Sequence, residues 1–105
     1  MRQWRDLSSF FRMENPLCKC CSIEGITKEA EEVHHICKWD DQETDEMKTL
    51  LLLDKDNIVS LCRECHANIH RNKKALTKKQ VEYFYNKQLE IKQSYEDRLI
   101  FIILK

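Results

Sequence analysis

Six cysteines and four histidines are the side chains of this sequence best suited to holding metal or moving protons, and their spacing sorts them into groups. Cys18 and Cys21 are separated by two residues, as are Cys62 and Cys65, with the 40 residues 22–61 between the pairs. Each pair can turn two thiolates toward one ion, so together they predict a closed, tetrahedral, structural zinc site. Four buried free thiols or a redox pair are the blander alternatives. Cys20 and Cys37 have no partner at this spacing and read as core or surface thiols. The histidines form two clusters. His34 and His35 are adjacent, so on a strand they point to opposite faces and do different jobs, one binding and one reacting. His66 and His70 are one helical turn apart and can grip one cation from a common face, which His34 could meet.

The elements that must position these groups follow from pattern. Trp4, Leu7, Phe10 and Phe11 recur at helical spacing, and Asn15-Pro16 is a stop, which predicts a helix over 2–14. Cys18 to Gly25 reads as a compact turn and Glu31 to Ile36 as a short strand. Residues 38–57 are acidic and irregular apart from Leu50 to Leu53, predicting a long loop with a helical or extended apolar tether. Ile58 to Leu61 suits a second strand, and Arg63 to Asn72 a helix carrying His66, Ile69 and His70. A last helix over 77–98 opens at Thr77, with Gln80 completing a capping box, and is expected to bury Val81, Phe84, Tyr85, Leu89 and either the Lys92 stem or Tyr95.

At 105 residues the chain fits one small domain, and a core of that size benefits from a metal staple. Lys and Arg total 18 against 18 Asp and Glu, which excludes a globally basic nucleic-acid binder. The charge is nevertheless segregated. Residues 37–57 carry seven acidic and three basic side chains, and residues 58–79 carry six basic and one acidic. That basic stretch can attract phosphate, whereas Asp40, Asp41, Glu43, Asp45 and Glu46 are expected to face away from it or regulate access. The first residues lack the apolar core of a secretory signal, so a cytoplasmic, reducing location is expected, in which three disulfides are improbable. The apolar run Leu99 to Leu104 is too short to span a bilayer, so no membrane association is expected. It reads as a packing segment or a dimer contact, leaving a monomer or weak homodimer.

The ordered set Cys18-x2-Cys21, Glu32-Val33-His34-His35-Ile36 and Asn57-Ile58-Val59-Ser60-Leu61-Cys62-x2-Cys65-His66, ending in His70, resembles the HNH endonuclease family. The resemblance covers residues 4–71, and the lead-in Asn15-Pro16-Leu17-Cys18 resembles phage and prophage members. It implies an α+β fold: a small ββα-metal (His-Me finger) core over 17–73 with a four-cysteine zinc site, flanked by the N-terminal and C-terminal helices. It implies that His35 is the general base, that His34 and His66 hold a catalytic divalent metal, and that His70 is a third ligand. Many relatives have Asp where His34 stands, and an imidazole there favours zinc, nickel or manganese over magnesium. Asn57 matches the middle motif residue, a hydrogen-bonder that holds the loop bearing the base.

The implied activity is metal-dependent hydrolysis of DNA phosphodiester bonds in a bacterial or phage-infected cell. Small size favours nicking, with 5′-phosphate and 3′-hydroxyl ends. Phosphate contacts are expected from Arg63, Arg71, Lys73 and Lys74. The competing reading is a zinc-stabilised nucleic-acid-binding module whose histidines no longer catalyse. A bacteriocin-like toxin nuclease is disfavoured because such domains lack zinc knuckles and are strongly basic.

Overall fold

A computed structural model describes the backbone of residues 2–104 and the side chains of residues 2–98. Helix α1 spans Arg2–Glu14. Trp4, Leu7, Ser8 and Phe11 form its half-buried stripe, while Phe10 and Met13 stay exposed. Backbone and side chain of Asn15 both donate to the Phe11 carbonyl, and Pro16 cannot continue the ladder.

A single turn, α2 (Lys19–Ile23), follows Cys18 at its N-cap position and carries Cys21 within it. Gly25 adopts φ 75°, a left-handed conformation open to glycine, and Ile26 N–H then returns to the Cys21 carbonyl at 2.9 Å. Strands β1 (Glu32–His35) and β2 (Ile58–Leu61) pair antiparallel, with Glu32 opposite Leu61, Val33 opposite Ser60, His34 opposite Val59 and His35 opposite Ile58. Directly opposed residues share a face, so Glu32 and His34 lie on one side of the sheet and Val33 and His35 on the other.

The segment between the strands is more ordered than its composition predicts. Thr44 caps α3 (Asp45–Leu53) by accepting from Met47 N–H at 3.2 Å, with Asp45 and Glu46 in the favourable first turn. A short 3-10 turn, Lys55–Asn57, follows and leads into β2. Asp45 and Glu46, which suit a helix start as well as a solvated loop, let the helix begin ahead of the Leu50 to Leu53 tether.

Helix α4 (Arg63–Arg71) begins at the second cysteine pair, and α5 runs over Lys78–Leu104. The Thr77–Gln80 capping box is present in both directions, at 2.8 and 3.2 Å. Its buried face differs from the expected one. Val81, Tyr85 and Leu89 are about half exposed, while Gln80 and Ile91 are buried and Phe84 and Tyr95 pack against the core. The cause is polar docking: Gln80 Nε2 donates to the Cys20 carbonyl at 2.8 Å and Gln88 Nε2 to the Ile36 carbonyl at 3.1 Å, which rotates the apolar stripe outward. The side chains of Leu99 to Leu104, read above as a packing or dimer segment, lie outside the described residues. Among the described residues no helix is long and apolar enough to cross a membrane.

The core is small and unusually rich in sulfur. Cys18, Cys20, Leu61 and Cys62 are fully buried, joined by Ile36, Cys37, Leu51, Val59 and Ile91. Cys20 and Cys37 are core thiols, outside the four-sulfur cluster described next.

Candidate active site and metal centres

Two donor clusters draw on the β1–β2 unit and α4. In the first, Sγ atoms of Cys18, Cys21, Cys62 and Cys65 all lie within 4.8 Å of one another, and Cys21 Sγ is 3.8 Å from Cys65 Sγ. A tetrahedron with ion–sulfur bonds of about 2.3 Å has edges of about 3.8 Å, so the donor set fits zinc. Burial pushes the Cys21 thiol up to about 11 and raises Cys65 as well. Burial also acts to raise Cys62, but hydrogen bonds from Cys65, Cys18 and Cys21 outweigh it and its pKa is lowered. A cation among the four sulfurs would offset the mutual repulsion of their thiolates.

The second cluster comprises His34 on β1 with His66 and His70 on α4, whose ring nitrogens also lie within 4.8 Å of one another. His66 Nε2 and His70 Nε2 are 3.1 Å apart, compatible with the spacing of about 3 to 3.4 Å between neighbouring nitrogens on one ion. The ring of His34 meets those of His66 and His70 edge-on at 5.0 and 5.2 Å, and Phe84 of α5 supports it from behind at 6.1 Å. His34 is 9% exposed. Burial, then the neighbouring histidines, lower its pKa to about 3. Burial and His66 lower His70 too. At neutral pH both rings present a lone pair to a cation without first releasing a proton.

His35 points to the opposite face of β1. Its Nε2 lies 3.0 Å from the Leu52 carbonyl at the end of α3. A carbonyl only accepts, so Nε2 carries the proton and Nδ1 keeps the lone pair of a base. Trp4 of α1 stacks on the ring at 4.3 Å and a 35° tilt, and Trp39 lies at 6.3 Å. Burial lowers its pKa, against the raising effect of the Leu52 hydrogen bond. The neutral, proton-accepting form therefore persists below the usual histidine range.

Asn57 is fully buried and binds no histidine. Its Oδ1 accepts from Cys37 N–H at 2.8 Å, and Nδ2 donates to the carbonyls of Cys37 and Leu51, both at 3.0 Å. It ties the residue two beyond His35 to the helix whose Leu52 carbonyl orients that ring.

An open groove of about 580 Å³ joins the parts, lined among others by Trp4, His34, His35, Trp39, His66 and His70. Of the four basic residues singled out from sequence, Lys73 lines this groove. Arg71 and Lys74 are exposed nearby in sequence, whereas Arg63 is paired with Glu31 at 3.4 Å. Lys38 also lines the groove, and so does Asp40, one of the acidic residues expected to face away or to regulate access. Sequence reasoning placed Trp4 only in a helix stripe and Glu32 only in the motif set, and did not single out Lys38. Their signal was latent: a tryptophan on the first helix, a lysine three residues beyond the histidine pair, and a carboxylate two residues before His34. A separate cavity of about 440 Å³ between Cys37, Met47, Leu51, Ile91 and Tyr95 contains no histidine.

These features coincide with what comparison finds. The family described as HNH endonuclease matches residues 18–72. A solved structure, the HNH endonuclease of the deep-sea thermophilic bacteriophage GVE2 with manganese ion, is similar with a TM-score of 0.51 and 29% identity. That likeness covers 70% of this chain and 75% of that one. No curated protein matches. The chain belongs to the HNH endonuclease family and is a nuclease.

Proposed function

We propose that the whole chain works as one metal-dependent HNH nuclease domain that hydrolyses DNA phosphodiester bonds, nicking one strand and leaving 5′-phosphate and 3′-hydroxyl ends. One observation carries the reading: three imidazoles converge on one face of β1 while His35, on the other face of the same strand, opens into the same groove. Adjacent residues on a strand thereby deliver a ligand and a base to one substrate.

His34, His66 and His70 hold the catalytic divalent ion, and Cys18, Cys21, Cys62 and Cys65 hold structural zinc. A divalent ion held there would supply charge neutralisation for the phosphate and the leaving group. His35 accepts the proton of the attacking water at Nδ1, and Leu52 steadies the ring by accepting from Nε2. Asn57 keeps the loop after the base fixed. Lys38 and Lys73, flanking the groove, position the phosphate backbone, with Arg71 and Lys74 adding attraction from outside it. Arg63 serves the fold through Glu31. An all-histidine donor set favours manganese, nickel or zinc over magnesium, and the phage relative was crystallised with manganese ion. The site of action is the cytoplasm of a bacterium or phage-infected cell, as a monomer or weak homodimer.

The test is incubation of zinc-loaded protein with supercoiled plasmid and manganese, nickel, magnesium or zinc in turn, followed by DNA ligase. Metal-dependent conversion to open circles that ligase reseals supports the activity and its end chemistry. Circles that stay open contradict the end chemistry. Intact plasmid under every metal contradicts DNA hydrolysis itself.

A further inference from the structure

We infer that Glu32 is a positioning residue of the histidine metal centre, acting through His66; this rests on the metal-site reading given above. Glu32 and His34 occupy the same face of β1, two residues apart, opposite Leu61 and Val59. Glu32 Oε1 lies 3.0 Å from His66 Nδ1, in a pair that is only partly exposed. A carboxylate oxygen accepts, so Nδ1 is the ring nitrogen that donates to Glu32 and Nε2 is the one turned away from it, free to face a cation. That nitrogen meets His70 Nε2 at 3.1 Å, within the three-histidine cluster. One strand therefore contributes both a ligand and the carboxylate that fixes the tautomer of a second ligand on α4. A carboxylate behind an imidazole also raises its basicity toward a metal.

The neighbouring carboxylate does something different. Glu31 pairs with Arg63 at 3.4 Å and accepts from the Arg63 backbone N–H, holding the first turn of α4 without touching a histidine. Glu31 is thus an internal control for helix docking.

The experiment is calorimetric titration of manganese ion into the zinc-loaded full chain and its variants, with zinc content and thermal unfolding measured on each. Glu32→Ala is expected to weaken manganese binding about 10- to 100-fold, and Glu32→Gln, which still accepts from Nδ1 but carries no charge, about threefold or more. Glu31→Ala is expected to bind within about twofold of the parent, because it removes no contact to a ligand. Unchanged affinity in Glu32→Ala, while His66→Ala loses binding, overturns the role of Glu32 alone. An equal loss in Glu31→Ala does the same by reducing the effect to helix docking. If Glu32→Ala does not unfold cooperatively, Glu32→Gln decides, and parental affinity in it overturns the role. A parent that binds no manganese overturns the histidine metal centre and the role of Glu32 with it.

Discussion

Asn57 grips Cys37 by both of its backbone polar groups, accepting from its N–H at 2.8 Å and donating to its carbonyl at 3.0 Å. A third bond from the same amide reaches Leu51 in α3, so one fully buried side chain fastens the loop after His35 to the helix that orients it. Truncation leaves several buried polar groups without partners, each costing about 1–3 kcal/mol. Asn57→Ala is expected to lose at least about 2 kcal/mol of stability by urea unfolding of the zinc-loaded protein. Asn57→Asp is expected to fare no better, since a carboxylate faces two carbonyls. A parental urea midpoint in Asn57→Ala contradicts the fastening role.

His34 makes stability depend on pH in a defined direction. Its folded pKa is about 3, against about 6.5 in an unfolded chain. Below about 6.5 the unfolded state binds the extra proton, so the stability His34 contributes is complete above that pH and declines as pH falls toward about 3. The slope is roughly 1.4 kcal/mol per pH unit. Urea midpoints at pH 7.5 and 5.5, with no divalent metal added beyond the zinc, should therefore separate in the parent more than in His34→Asn. Parallel behaviour of the two proteins contradicts the burial of a neutral ring.

Cys62→Ser tests the four-sulfur site. The side chain is fully buried between β2 and α4, and its loss opens a centre that joins the two halves of the core. Zinc per chain by mass spectrometry should fall well below one, and thermal unfolding should lose cooperativity. A variant that keeps one zinc and melts like the parent contradicts the knuckle pairing.

Much of this architecture was legible because covalent spacing and periodicity are local. Paired cysteines separated by two residues marked which thiols cluster, and alternation along β1 marked that His34 and His35 part company. The capping box at Thr77 and Gln80 was readable for the same reason. What escaped depends on distant partners. The outward stripe of Val81, Tyr85 and Leu89 follows from Gln80 and Gln88 docking on carbonyls some 50 to 60 residues away in sequence. The first turn of α3 read as loop because acidic residues suit a solvated loop as well as a helix start, and Glu32 stood in the motif set without a role of its own. Lys38 and Asp40 reach the groove through the path of the loop, which no local pattern encodes.

Trp4 lies outside the family-matched region yet covers the face of His35 at 4.3 Å. Removing the indole frees that ring to leave its working orientation, and misplacement by about 1 Å can cost up to about 100-fold in rate. Trp4→Ala is expected to slow plasmid nicking about tenfold or more with zinc content unchanged, and Trp4→Phe to recover most of the rate. Equal rates in Trp4→Ala and the parent contradict a positioning role for α1.

The most direct measurement is plasmid nicking by His35→Ala in the presence of manganese. Activity should fall at least about 100-fold, while zinc content and manganese affinity remain those of the parent and unfolding stays cooperative, because His35 belongs to neither metal cluster. Undiminished nicking by His35→Ala contradicts the assignment of His35 as the base that activates water.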